Sequence, residues 1–178
     1  MATFAELGVR SSHHALASGL RIGGTSRGHK MPVELMLNVY VLGERLYLPV
    51  LGKTDQGVYW PTDTVIESEL TVAKLADGLR EAKTRGNPAL PHPPQEALDQ
   101  RTPVQERIGT SSYKRMARMG VVLCVPYWTE DSLYLAFSRR GAKDVQEIDY
   151  ENRIKLPRDT AVEELAGHII HELEGRRA

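Results

Sequence analysis

The sequence predicts an α+β protein built from two similar β-β-(β)-α units, with a mainly antiparallel sheet and helices packed on it. Three observations carry that expectation. Leu46-Tyr47-Leu48 returns as Leu133-Tyr134-Leu135, so that position 46 maps onto 133 with a shift of 87. Val72-x-x-Leu75-Ala76-x-x-Leu79 returns as Val162-x-x-Leu165-Ala166-x-x-Ile169, where 72 maps onto 162 with a shift of 90. Both helical stripes follow apolar runs of strand period separated by short polar turns, the order in which hairpins feed a helix. The difference between the two shifts is expected in a loop, where insertion costs little.

The first unit spans residues 33–86. Val33 to Val41 is apolar on its odd positions and reads as a largely buried strand. Leu42-Gly43-Glu44-Arg45 turns it into a second strand, Leu46 to Leu51, and Gly52 to Gly57 forms another turn. Val58-Tyr59-Trp60 opens a third extended piece that Pro61 is expected to end or confine to an edge. Thr71 is placed to cap a helix running to Arg85, with Val72, Leu75, Ala76, Leu79 and Ala82 on one stripe, and Gly86-Asn87-Pro88 is a stop signal.

Pro88, Pro91, Pro93, Pro94 and Pro103 mark a connector expected to be a linker rather than an element. A short helix opened by Ser112 and closed by Gly120 precedes the second unit, residues 120–175. That unit repeats the hairpin through Thr129-Glu130-Asp131-Ser132. A polar loop is expected from Ser138 to Asp144, and a half-buried strand at Arg153-Ile154-Lys155-Leu156. Thr160-x-x-Glu163 has capping-box spacing, so the last helix is expected to start there. Residues 1–30, rich in Gly, Ser and Arg and without a hydrophobic signal core, are expected to be a flexible leader to a single domain over 31–178.

Composition narrows the function classes. With 23 basic and 23 acidic residues the chain has formal net charge zero, which argues against a generic nucleic-acid binder. The lone cysteine, Cys124, leaves no intramolecular disulfide and sits in the apolar run Val121 to Val125 as a small hydrophobe. No apolar run is long enough to span a bilayer, so a reducing cytosol is expected. There is no Gly-x-Ser-x-Gly elbow, His-Glu-x-x-His or Gly-x-Gly-x-x-Gly, and neither a cofactor nor catalysis is expected.

One cluster has the residue types of a metal site: Glu164, His168 and His171 on the last helix. At about 100° per residue they fall opposite the apolar face of Val162, Leu165, Ala166, Ile169 and Leu173, which points them toward solvent. Lys114, Arg115, Arg118, Arg139 and Arg140 form a candidate basic patch that reads first as a solvated face. Asp144, Glu147, Asp149 and Glu151 form an acidic counterpart, read as a hydrated loop or a binding surface.

Ser112-Tyr113-Lys114 ahead of a buried strand, together with Ile154-Lys155-Leu156-Pro157-x-Asp159-Thr160-x-x-Glu163-Glu164-Leu165-Ala166, resembles the pattern of contact-dependent growth inhibition immunity proteins over roughly Thr110 to Leu173. The resemblance implies a cytoplasmic protein that occludes the C-terminal toxin domain of a surface-exported protein, often a nuclease, and needs no catalytic residue, membrane or nucleic acid. It transfers no toxin-contacting residue by match. From polarity and position, the expected toxin-binding residues are Asp131, Arg139, Arg140, Lys143, Asp144, Glu147, Asp149 and Glu151. A metal-dependent enzyme using the histidine face and a dimeric adaptor using the duplicated sheet are the other function classes open to this chain.

Overall fold

The computed structural model describes residues 32–98, 100–140 and 146–177. In chain order these form β1 (Leu35–Met36), β2 (Val39–Leu42), β3 (Arg45–Thr54), β4 (Tyr59–Glu69), α1 (Val72–Arg85) and β5 (Ala89–Leu90). Then follow α2 (Gln95–Leu98), α3 (Pro103–Ile108), α4 (Tyr113–Arg118), β6 (Val122–Trp128), β7 (Ser132–Arg140), β8 (Gln146–Pro157) and α5 (Val162–Arg177). All eight strands belong to one sheet of order β4-β3-β2-β6-β7-β8, with β1 added beside β6 and β5 beside β3. The fold is α+β, and every strand pair except β3–β5 is antiparallel.

The two units meet where β2 pairs with β6, Val39 opposite Cys124 and Val41 opposite Val122. An antiparallel junction between like strands makes the halves pseudo-twofold partners. Tyr40 opposite Tyr47 in the first hairpin becomes Tyr127 opposite Tyr134 in the second, each shifted by the same 87 positions. Both edge strands carry a bulge at the equivalent place. Between the partners of Leu51 and Pro49, β4 runs from 61 to 65, whereas between those of Phe137 and Leu135, β8 runs from 149 to 154. The expected loop insertion is therefore divided: one residue enlarges the β8 bulge, and the rest lengthens the path into α5.

Side-chain alternation sorts the sheet into two faces. On one, Val39, Val41, Leu46, Leu48, Leu133, Leu135 and Phe137 pack beneath Leu75, Leu79 and Ala82 of α1 and Leu165, Ile169 and Leu173 of α5. This core draws on both units, and the helices touch each other. Thr71 accepts a hydrogen bond from Lys74 N at 3.2 Å and caps α1 as expected. At the equivalent place α5 follows Ala161, while the Thr160 hydroxyl donates to Pro157 O at 2.7 Å, so the expected capping box does not form.

The second face holds Met36, Tyr40, Tyr47, Leu51, Val125, Tyr127, Tyr134 and Ala136. Its cover is the connector, and here the expectation of a plain linker is corrected. Val104 and Ile108 of α3 and Met116 of α4 are buried against this face. Helix α4 is the short helix expected after Ser112; α3, six residues long, carries too few turns to show an apolar period in sequence, and its stability comes from this packing.

Two further expectations are corrected, and one that left two outcomes open is decided. The strand expected over 33–41 is divided at Leu37-Asn38: Leu37 N donates to Pro126 O at 2.9 Å, but proline has no N–H to return. Of the two outcomes expected at Pro61, the edge is the one found: β4 passes through it to Glu69 as the outermost strand, with a bulge following that proline. The polar stretches 138–140 and 146–151 are strand, not loop, because an edge strand exposes alternate residues to water and their polarity hides the ladder.

After α1 the chain crosses the sheet end closely enough that β5 lies over Gly52, where a Cβ would fall 2.2 Å from Leu90 Cδ1. Asn87, read in sequence only as part of a stop signal, fills the gap between β1 and β3. Its Oδ1 accepts from Met36 N at 2.8 Å, and its Nδ2 donates to Met36 O and Leu51 O, both at 2.9 Å. The amide thus substitutes for ladder bonds that the two strands cannot make with each other. Asn87→Ala leaves those groups unpaired and is expected to cost about 1–3 kcal/mol. The check is the urea midpoint at constant m-value; an unmoved midpoint would refute the strut.

Candidate functional site

The expected contact residues divide between the two ends of the β7–β8 hairpin. Arg139 and Glu147 are cross-strand partners, and cross-strand partners share a face. Arg139 lies 4.0 Å from Glu147 and 3.8 Å from Asp149. Asp149 pairs across the sheet with Phe137, whose side chain belongs to the helix-side core. The Arg176 guanidinium sits 4.6 Å over the Phe137 ring and 3.8 Å from Glu172. The result is a charged rim of Arg139, Glu147, Asp149, Glu172 and Arg176 around the C-terminal end of α5, where cations also meet the helix dipole favourably.

The bulge shapes this rim. Asn152 donates to Asp149 through its backbone N at 3.2 Å and its Nδ2 at 2.9 Å. The Asn152 side chain foremost, with the Arg139 charge adding to it, holds the Asp149 carboxyl below its ordinary range. Glu151 is exposed within the same bulge. Arg140 ends β7 opposite Gln146. Lys143 and Asp144 lie outside the described residues. Asp131 is exposed in the β6–β7 turn, at the other end of β7 from Arg139, roughly 25 Å away at 3.3 Å per residue. The strands hold Asp131 away from this rim.

The pseudo-symmetry shows what the second unit has added. At the places of Phe137, Arg139, Glu172 and Arg176 the first unit has Val50, Gly52, Ala82 and Gly86. There the chain turns back and β5 closes the end of the sheet; in the second unit charged side chains occupy it. Below the rim Cys124 is fully buried, and burial pushes its thiol well above its ordinary range. It acts as a core residue, as its apolar flanks imply.

The histidine face is laid out as the helical wheel indicates. His168 Nε2 lies 3.7 Å from Glu164 Oε1, both partly exposed, and His171 is exposed. Among the described residues no group of three or more His, Cys, Asp or Glu is arranged to hold a metal ion. Also among them, no helix is long and apolar enough to cross a membrane.

A feature that sequence reasoning missed lies on the second face. All seven tyrosines of the chain lie in or against its core: Tyr40, Tyr47, Tyr59, Tyr127 and Tyr134 within it, Tyr113 and Tyr150 at its border. Tyr127 stacks on Tyr134 with ring centroids 5.2 Å apart, Tyr150 meets Tyr127 edge-on at 6.2 Å, and Arg153 stands 5.0 Å over Tyr134. The signal was present in the repeated Leu-Tyr-Leu, whose central tyrosine must face away from the leucines.

Burial raises the hydroxyl pKa of Tyr40, Tyr59, Tyr113, Tyr127 and Tyr150. A folded-state pKa above the unfolded one gives stability that is complete below the ordinary tyrosine value, about 10, and lost as pH rises beyond it. Tyrosinate absorbance is therefore expected to appear together with loss of near-ultraviolet circular dichroism, and Cys124 to react with a disulfide reagent only in that same step. Ionisation of most tyrosines in a protein that stays folded would contradict it.

No family model and no curated protein matches the sequence. Solved structures share the fold. A protein of unknown function from Neisseria meningitidis aligns with a TM-score of 0.50 at 13% identity, covering 75% of this chain and 89% of that one. A chain of a CdiA-CT/CdiI toxin and immunity complex from Yersinia pseudotuberculosis aligns with a TM-score of 0.50 at 14% identity, covering 79% of this chain and 95% of that one.

Proposed function

We propose that this chain is the immunity partner of a contact-dependent growth inhibition toxin. In this reading it binds the toxin's C-terminal domain one to one in the bacterial cytoplasm and silences it by occlusion, without catalysis. The observation that carries the reading is the fold likeness to a chain of a toxin–immunity complex, which extends over 95% of that chain. The resemblance of the Thr110 to Leu173 segment to immunity proteins supports it from the sequence side.

The β7–β8 edge is the side we assign to the partner. It carries the rim of Arg139, Glu147 and Asp149, where the first unit has the uncharged Gly52, Trp60 and Thr62, and its residues are mounted on strands. A charged rim set on rigid strands gives orientation and partner choice without costly ordering on binding. Asp131, at the far end of the hairpin, would contact only a partner that spans the full length of β7.

Co-expression with the toxin fragment encoded immediately upstream tests the proposal. Growth should be restored, and the two proteins should co-purify in equal amounts. Persistent growth arrest with no co-purification would rule the reading out.

A further inference from the structure

On the second face of the β8 edge exposed basic side chains predominate. Residues 110–120 include Lys114, Arg115 and Arg118 and no acidic residue. The Ser112 side chain accepts from Arg115 N at 3.2 Å and caps α4, while buried Met116 fixes the helix to the sheet. The Tyr113 and Tyr40 hydroxyls interact at the same seam. That docking leaves Lys114, Arg115 and Arg118 exposed.

Helix α4 packs against β8, and β8 continues the basic surface. Lys155 pairs with Tyr134 across the ladder and so shares its face. Arg153, lifted by the bulge, lies over the ring of Tyr134. Both are exposed. Beneath them Tyr127 and Tyr134 are 3% and 7% exposed, so the stacked rings are a fixed platform. Of the expected basic patch, Arg139 faces the other side of the sheet beside Glu147 and Asp149, and Arg153 and Lys155 take its place.

We propose that Lys114, Arg115 and Arg118 of α4, together with Arg153 and Lys155 of β8 beside the Tyr127–Tyr134 stack, dock an acidic surface of the protein partner; this rests on the immunity reading above. Opposite charge would steer encounter, and a guanidinium already held over an aromatic ring loses little freedom on binding. A nucleic acid fits less well. The chain is neutral as a whole, with none of the basic excess of a phosphate-tracking protein, and Glu151 in the bulge is exposed two residues from Arg153.

The test uses the full chain and the upstream-encoded toxin domain, with association followed by stopped flow. Lys114→Glu with Arg115→Glu, and separately Lys155→Glu, are compared with Lys74→Glu on the exposed side of α1. Unchanged thermal melting confirms that each variant is folded. The double reversal is expected to slow association about tenfold and to flatten its salt dependence, while Lys74→Glu changes nothing. If wild type binds and rescues cells but the reversals keep its rate within about twofold, the docking surface is refuted and the immunity reading stands. If wild type neither binds nor rescues, both fail. If a short duplex DNA or a single-stranded RNA binds wild type and is lost in the reversals while toxin binding persists, the surface serves nucleic acid and the proposal is wrong.

Discussion

The antiparallel pairing of β2 with β6 is the constraint on which the rest of the molecule depends. Each β-β-β-α unit alone would bury too little surface for independent stability. Joining like strands at the centre makes one sheet of two short ones and places α1 and α5 side by side on one face. Their contact, reinforced by the exposed Arg80–Glu163 ion pair, closes the aliphatic core from above. The opposite face is left without a cover from either unit, and the connector supplies it. A segment that sequence composition marks as a spacer thus becomes the lid of a second core.

The two faces differ in chemistry because strand alternation separates Leu from Tyr at every repeat of Leu-Tyr-Leu. Aliphatic side chains fill the dry space under the helices. Tyrosines need an apolar body and a partner for each hydroxyl, which suits a layer covered by short helices and open at the sheet edge. Tyr59 illustrates the arrangement: its hydroxyl donates to Val33 O at 3.1 Å while Lys53 lies over its ring. At the opposite edge β8 mounts Arg153 on Tyr134, so the tyrosine layer organises the charge displayed above it.

Both edge strands would offer long unpaired ladders to other chains were they regular. Each instead bulges at the pseudo-equivalent position, which bends the strand and breaks the register. The first unit closes its end with β5 and Asn87. The second unit has at the same place Arg139, Glu172, Arg176 and the larger bulge holding Asp149 through Asn152. The repeat supplies the frame, and charged side chains at this end of the second unit set it apart from the first.

Periodicity in the sequence alone determined the duplication, the α+β class, the boundaries and cap of α1, the apolar face of α5 and the outward histidines, because these follow from spacing within one element. Tertiary structure decided what depends on neighbours distant in the chain. The full length of β8 was hidden because edge polarity imitates a loop, and α3 escaped notice because six residues show no period. Asn87 took its meaning from two strands it joins across the sheet. The candidate contact residues were legible as charged and near one another in sequence, yet β7 puts Asp131 and Arg139 at opposite ends, and strand parity puts Arg139 and Lys155 on opposite faces. Sequence spacing fixes which side of an element a residue takes; only packing of the elements decides which residues become neighbours.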